Sequence, residues 1–259
     1  MIGVEATNDG DKEQLQAAIA KLNSATVSEV WLILIGHGTY DGQRAKFNLR
    51  GKDVTATELA SWLKPLKQRL IIINCASSSS PFINALSAEN RVVVTATKDG
   101  FQYNFSRFGA YLAKSINDPA IDLDKDGQTS LLEAFCATSQ QVGQFYEQEN
   151  RLATEQALID DNGDQQGTPA DWFEGLRVTK KPTQGIADGL IANQVFLNRR
   201  GVEALLTDQQ RVRRDELETQ LETLRASKSE LTEEQYLLSI EPIMIELARL
   251  YADADNKTQ

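Results

Sequence analysis

The stretch LIIINCASSSSPF, residues 70–82, decides how this chain folds. With Arg69 it forms RLIIIN, an apolar run of strand length without polar alternation, the pattern of a strand covered on both faces. Cys75 follows it directly, and then come Ala76 and four serines that a core strand does not use. EVWLILIG (29–36) has the same form and leads into His37, the only histidine, in GHGTYDG. RVVVTAT (91–97) is a third buried strand. Between and around these runs the spacing predicts helices over 11–22, 55–66, 81–88, 107–116 and 130–148. Thr55 and Glu58 have the spacing of a capping box, in which side chain and backbone satisfy each other at the first helical turn. Strands alternating with helices predict an α/β fold, a doubly wound and mainly parallel sheet with helices on both faces. Residues 1–6 read as a further short strand.

Near residue 200 the character changes. Residues 201–259 are charge-rich and spaced for helices, with Leu217, Leu221 and Leu224 on one seam and Ile243, Leu247 and Leu250 on another. A break at ASKSELTEEQ, with Thr232 capping ahead of Gln235, predicts a C-terminal helical hairpin. The domains are thus 1–200 and 201–259. A net charge of −10 repels phosphate backbones and argues against a nucleic-acid partner. Hydrophobic content of 41% with 25% charged residues is that of a soluble globular protein, and two cysteines are no disulfide framework. No apolar run approaches membrane-spanning length, and the start lacks the pattern of a signal peptide. Location, cytoplasmic or exported, is not written in the residues.

His37 and Cys75 each follow a strand end, on strands that one crossover helix makes neighbours. Open α/β sheets bind ligands at the carboxyl ends of their strands, so an imidazole and a thiol there can face one substrate bond. A base beside a thiol raises its thiolate fraction, and the imidazole then protonates the leaving amine. Gly38 leaves room for a substrate backbone and offers an N–H to an oxyanion. The small residues Ala76 to Ser80 read as a flexible wall that keeps the mouth open. Against this, a lone strand-end cysteine is more often inert core, and a lone histidine is usually structural. Cys136, inside a helix, reads as core. Asp41 either orients His37 or belongs to a turn.

An apolar strand ending in His-Gly and a second ending in Cys-x-Ser resemble the caspase–legumain superfamily of cysteine endopeptidases. RVVVTATKDGFQYNFSRFGAYLAKSI resembles the next strand and helix of bacterial caspase-like peptidases, and DLDKDGQTSLLEAF their Asp-rich loop. The resemblance implies a three-layer sandwich over 1–200. It also implies peptide-bond cleavage through a thioester acyl-enzyme, with Cys75 as nucleophile, His37 as acid/base and Gly38 as oxyanion donor. Two features depart from the pattern. Ser78 stands where many members carry glycine, and the superfamily's first strand is expected to be missing ahead of residue 1. The alternatives are a catalytically inactive scaffold of the same fold and a calcium-responsive protein-binding module. The partner is then a protein or peptide, as substrate or through the C-terminal helices.

DLDKDGQTSLLE (122–133) fits the twelve-residue calcium-loop template. Asp122, Asp124 and Asp126 take the first, third and fifth positions, Gly127 the turn, Gln128 a carbonyl, and Glu133 the closing bidentate position. The competing reading is an Asp-rich turn capping the 130–148 helix through Ser130 or Asp126. DDNGDQQGTPAD (160–171) echoes the template more weakly, with Asp160, Asn162, Asp164 and Asp171 in place but Gln165 at the turn. It reads first as a solvated loop. Calcium in either loop would fix structure, because hard-cation oxygen sites do not activate thiols.

Overall fold

The structure, a computed structural model, describes residues 10–116, 118–180, 182 and 187–255. The strand read at residues 1–6 lies outside them. The chain divides into two compact units, the first holding residues 1–125 and 129–195, the second 126–128 and 196–259.

The first unit is mixed α/β. In chain order it runs α1 (Asp11–Leu22), β1 (Glu29–Leu34), β2 (Gly38–Tyr40), β3 (Ala45–Phe47), β4 (Val54–Thr55), α2 (Ala56–Leu63), β5 (Arg69–Asn74), α3 (Pro81–Leu86) and β6 (Arg91–Thr95). It continues through α4 (Phe108–Ser115), α5 (Leu131–Gln148), β7 (Leu158–Asp160), β8 (Thr168–Pro169), the short pair β9 (Phe173–Glu174) and β10 (Arg177–Val178), and α6 (Leu190–Asn193). The five-stranded sheet has the order β1-β5-β6-β7-β8. β1, β5 and β6 are parallel, whereas β7 and β8 join antiparallel. The sheet is therefore less parallel than the runs predict. Leu158–Asp160 is too short to carry a periodic signal, and it pairs by lying against β6.

Both faces of the central strands β5 and β6 are covered, whereas β1, at the edge of the sheet, is only partly so and leaves Ile33 exposed, against the expectation for 29–36. Leu70 and Ile72 of β5 pack with Leu15 and Ile19 of α1, Leu59 and Leu63 of α2, and Phe82 and Leu86 of α3. Ile71 and Ile73 pack the other way, with Phe108 and Leu112 of α4 and Leu131 and Phe135 of α5. Successive side chains of a strand point to opposite faces, so one apolar run feeds two layers. Burying each of these isoleucines contributes about 2–3 kcal/mol. The Thr55 capping box forms as expected, with the Glu58 N–H on Thr55 Oγ1 at 3.1 Å and the Thr55 N–H on Glu58 Oε2 at 3.0 Å. A three-stranded antiparallel sheet, β2-β3-β4, fills residues 38–55. No periodic run announces it.

The second unit consists of a 3-10 segment (Gly201–Leu205), α7 (Asp208–Ala226) and α8 (Glu233–Asp255). The two helices run antiparallel, since Arg213 near the start of α7 pairs at 2.7 Å with Glu246 in the second half of α8. Thr232 and Gln235 make the expected cap. Among the described residues no helix is long and apolar enough to cross a membrane.

Candidate functional site

β1 and β5 are hydrogen-bonded neighbours in register Leu34 with Asn74, so His37 and Cys75 do stand past adjacent strand ends. The local chemistry of β5 then decides which way each side chain faces. Cys75 keeps strand pairing, its N–H donating to the Leu34 carbonyl at 2.9 Å. Beyond it the Asn74 side chain takes over, Oδ1 accepting the Ala76 N–H at 3.1 Å and turning the chain. Cys75 continues the face of Ile71 and Ile73, and it is buried in the layer of Phe108, Leu112 and Phe135. α4 makes room for it with Gly109, where an added Cβ would lie 2.9 Å from Cys75 Cβ and 3.2 Å from the sulfur.

Ala76 points the other way, into the layer of α2 and α3. A Cβ on Gly38 would lie 3.4 Å from Ala76 Cβ and 2.2 Å from the Ser77 carbonyl oxygen, so only glycine fits this crossing. The side chains against the Gly38 backbone are thus those of Ala76 and Ser77, not that of Cys75. The N–H of Gly38, the candidate oxyanion donor, is also engaged, by Ser77 Oγ at 3.2 Å, as that of Cys75 is by Leu34. The structure does not bring the thiol and the imidazole into one groove.

The serine run is no flexible wall. Ser77, Ser78 and Ser79 are all buried. Ser77 Oγ donates to the Gly38 carbonyl at 3.1 Å, and Ser79 Oγ accepts the Ala96 and Thr97 N–H groups at 3.1 and 3.2 Å. Ser80 Oγ donates to the Lys98 carbonyl at 2.9 Å. These hydroxyls lace three strand ends together, which is why small polar residues replace apolar ones here. Ser78 is the exception. Its φ is 52°, in the left-handed region that favours glycine, and its buried hydroxyl has no partner. Ser78→Gly is therefore expected to stabilise the protein by about 1 kcal/mol, because strain and a desolvated hydroxyl both disappear. Urea denaturation of the two proteins checks this, and a destabilised glycine variant would contradict it.

His37 is exposed and lines a groove of about 350 Å³ with Gly38, Tyr40, Ser78, Phe101 and Tyr103. Its ring meets Phe105 edge-on, centroids 5.9 Å apart. Tyr40 meets Phe101 the same way at 5.5 Å. Phe101, Tyr103 and Phe105 are 68%, 74% and 63% exposed, an aromatic rim on one loop. Their alternate spacing in FQYNF was legible as a pattern, but only the fold brings the loop beside His37. Asp41 belongs to a turn, its Oδ1 accepting the Gln43 and Arg44 N–H groups at 3.0 and 2.7 Å. These bonds hold its carboxyl below the usual range.

Burial, with a smaller contribution from the negative charge of Glu155, pushes the Cys75 thiol up to about 12. Glu155 stays near because it accepts the Arg107 and Phe108 N–H groups ahead of α4. Cys136 is likewise pushed up to about 12, by burial and then by Glu133. Both thiols are free.

In the 122–133 loop, Asp122, Asp124 and Asp126 each bring a carboxylate oxygen within 4.8 Å of the others. Glu133 is elsewhere engaged, accepting the Ser130 N–H at 2.7 Å and the Leu123 N–H at 2.6 Å while Ser130 caps α5. Gln128 is buried, its Oε1 accepting the Arg200 N–H at 3.2 Å. Three of the five template residues converge, and the other two hold backbone. Comparison with known protein families, curated proteins and solved structures finds no match.

Proposed function

We propose that this chain is a catalytically inactive module of caspase-like design whose strand-end groove binds an extended peptide segment of a partner protein. One observation carries it: the side chain hydrogen-bonded to the Gly38 backbone is the Ser77 hydroxyl, while the Cys75 thiol is buried in the layer of α4 and α5 against Gly109. A cysteine endopeptidase using Cys75 and His37 would need that sulfur to leave the core. The groove offers an imidazole, hydroxyls and an aromatic rim, the groups that hold peptides by stacking and hydrogen bonding. Leu237, Leu238, Met244 and Ile245, exposed and seven residues apart in pairs on α8, support a second protein contact through the C-terminal helices. Calcium at Asp122, Asp124 and Asp126 belongs to the same proposal, supported by their convergence and weakened by the engagement of Glu133.

The test is selection of peptides on the full chain, followed by titration of the best binder. Tyr103→Ala and His37→Ala are each expected to weaken it about tenfold, the size of one lost aromatic contact, and Cys75→Ala to leave it unchanged. Peptide cleavage or peptidyl-electrophile labelling that disappears in Cys75→Ala, with calcium present, would restore the endopeptidase assignment.

A further inference from the structure

β7 ends at Asp160, and because it runs antiparallel to β6, the loop that follows lies at the amino end of β6. That is the end of the sheet opposite His37 and the groove. The loop is seated firmly there. A Cβ on Gly163 would come within 2.9 Å of the Ala88 carbonyl carbon, and the Gln165 N–H donates to Ser87 Oγ at 3.0 Å. Asp171, the twelfth residue of the template, is not part of it and pairs with Lys180 at 2.6 Å. Asp188 arrives instead, from just ahead of α6. Its Oδ1 accepts the Asp161 and Asn162 N–H groups at 2.9 and 3.3 Å, and its Oδ2 the Thr168 hydroxyl at 2.6 Å.

Asp160, Asp164 and Asp188 each present a carboxylate oxygen within 4.8 Å of the others. Asp160 and Asp188 are 0% and 2% exposed. Asp161, also buried, places Oδ2 on the Gly189 and Ala192 N–H groups at 3.1 and 2.8 Å. None of the four is ion-paired with a described lysine, arginine or histidine. Backbone and hydroxyl donors thus account for Asp161 and Asp188, but not for Asp160. Its Oδ1 takes the Gly163 N–H at 3.1 Å, while Oδ2, fully buried, has no hydrogen-bond partner. The Ser87 hydroxyl lies close enough to favour the ionised Asp160 carboxyl by hydrogen bonding, against the larger opposing effect of burial, but no donor meets Oδ2 in hydrogen-bond geometry. A buried, unpartnered carboxylate oxygen beside two further carboxylates is unfavourable unless a cation joins them.

We infer that Asp160, Asp164 and Asp188 bind a hard divalent cation of the calcium or magnesium class, which clips the β7–β8 loop to the segment entering α6. The all-oxygen donor set, with no imidazole or thiolate, favours these ions over zinc or copper. The site is independent of the groove and of its occupant, and its distance from His37 gives it a structural role.

The experiment is calcium and magnesium titration of the chelator-treated full chain, read by calorimetric stoichiometry and by melting temperature. A hundredfold excess over Kd is expected to raise the melting temperature by about 5–10 °C. Asp160→Asn is expected to melt no lower than wild type in EDTA, because it removes an unpartnered buried charge, yet to lose this rise and one bound ion. Asp164→Asn, at a partly exposed position, is expected to fold normally and bind at least about tenfold more weakly, the loss of one charged ligand. Asp124→Asn is expected to leave the ion at Asp160 in place, which separates it from the 122–133 loop. No response in wild type, unchanged stoichiometry in Asp160→Asn, or an Asp160→Asn chain that melts below wild type in EDTA would each overturn the assignment.

Discussion

Native Cys75 is expected to react with iodoacetamide at neutral pH at least about fiftyfold more slowly than a free cysteine. The thiol is pushed from 9.0 up to about 12, first by burial and second by Glu155, so its thiolate is about a thousandfold scarcer. A more basic thiolate is a better nucleophile, and a Brønsted slope near 0.45 returns a factor of about twenty. The remainder is the expected fiftyfold, and exclusion of the reagent from a residue 4% exposed adds to it. Mass spectrometry after timed labelling should find Cys75 unmodified in the native chain and alkylated in urea. Prompt native labelling would remove the physical basis of the non-catalytic proposal. The same shift predicts a pH dependence. Because the folded pKa of Cys75 and Cys136 is raised, their contribution to stability is fully present below the ordinary thiol pKa, and it is lost as pH rises from there toward about 12. Thermal melts across that window should show an alkaline decline that is shallower in Cys75→Ala.

Arg214→Ala is expected to destabilise the C-terminal unit by about 3–5 kcal/mol. The guanidinium is 3% exposed on its side chain, bonds Glu203 through Nη1, and bonds Asp215 through Nε and Nη2 at 2.9 and 2.6 Å. It also stacks over the Phe196 ring, 5.6 Å from the centroid. Burial works against its charge, but Asp215, Glu203 and Glu218 outweigh that and raise its pKa. Glu203 itself is buried and accepts the Tyr251 hydroxyl at 3.1 Å, so the cluster joins the 3-10 segment, α7 and α8. Alanine leaves Glu203 as a buried charge without its cation, the costly half of a broken pair. Replacing the buried pair with apolar residues of similar size, Arg214→Met with Glu203→Leu, should recover part of the loss, since a buried pair gains little over good packing, while Asp215, closer to solvent, still loses its cation. Urea denaturation followed by circular dichroism measures both. A single variant within 1 kcal/mol of wild type would show that the cluster is not what holds the helices together.

Much of the fold was legible in the residues. Uninterrupted apolar runs at 69–74 and 91–97 specify covered strands, and the separation of the three runs by helical spacing specifies parallel pairing, as β1, β5 and β6 show. The run at 29–36 has the same pattern, yet β1 lies at the sheet edge with Ile33 exposed. Capping chemistry is local, so Thr55 with Glu58 and Thr232 with Gln235 could be read directly. β2–β4 and β7–β8 could not, because strands of two or three residues exist only through their partners. At the candidate site the sequence determined that His37 and Cys75 follow neighbouring strand ends. It did not determine which layer the thiol enters. A strand buried on both faces has no polar alternation to mark inside from outside, so Cys75 and Ala76 are equivalent in one dimension. The β5 register, Gly109 opposite the sulfur and Gly38 opposite Ala76 decide between them. Asp188 carries the same lesson. It stands far along the chain from Asp160, and only tertiary packing places it where the twelfth residue of a loop template was expected.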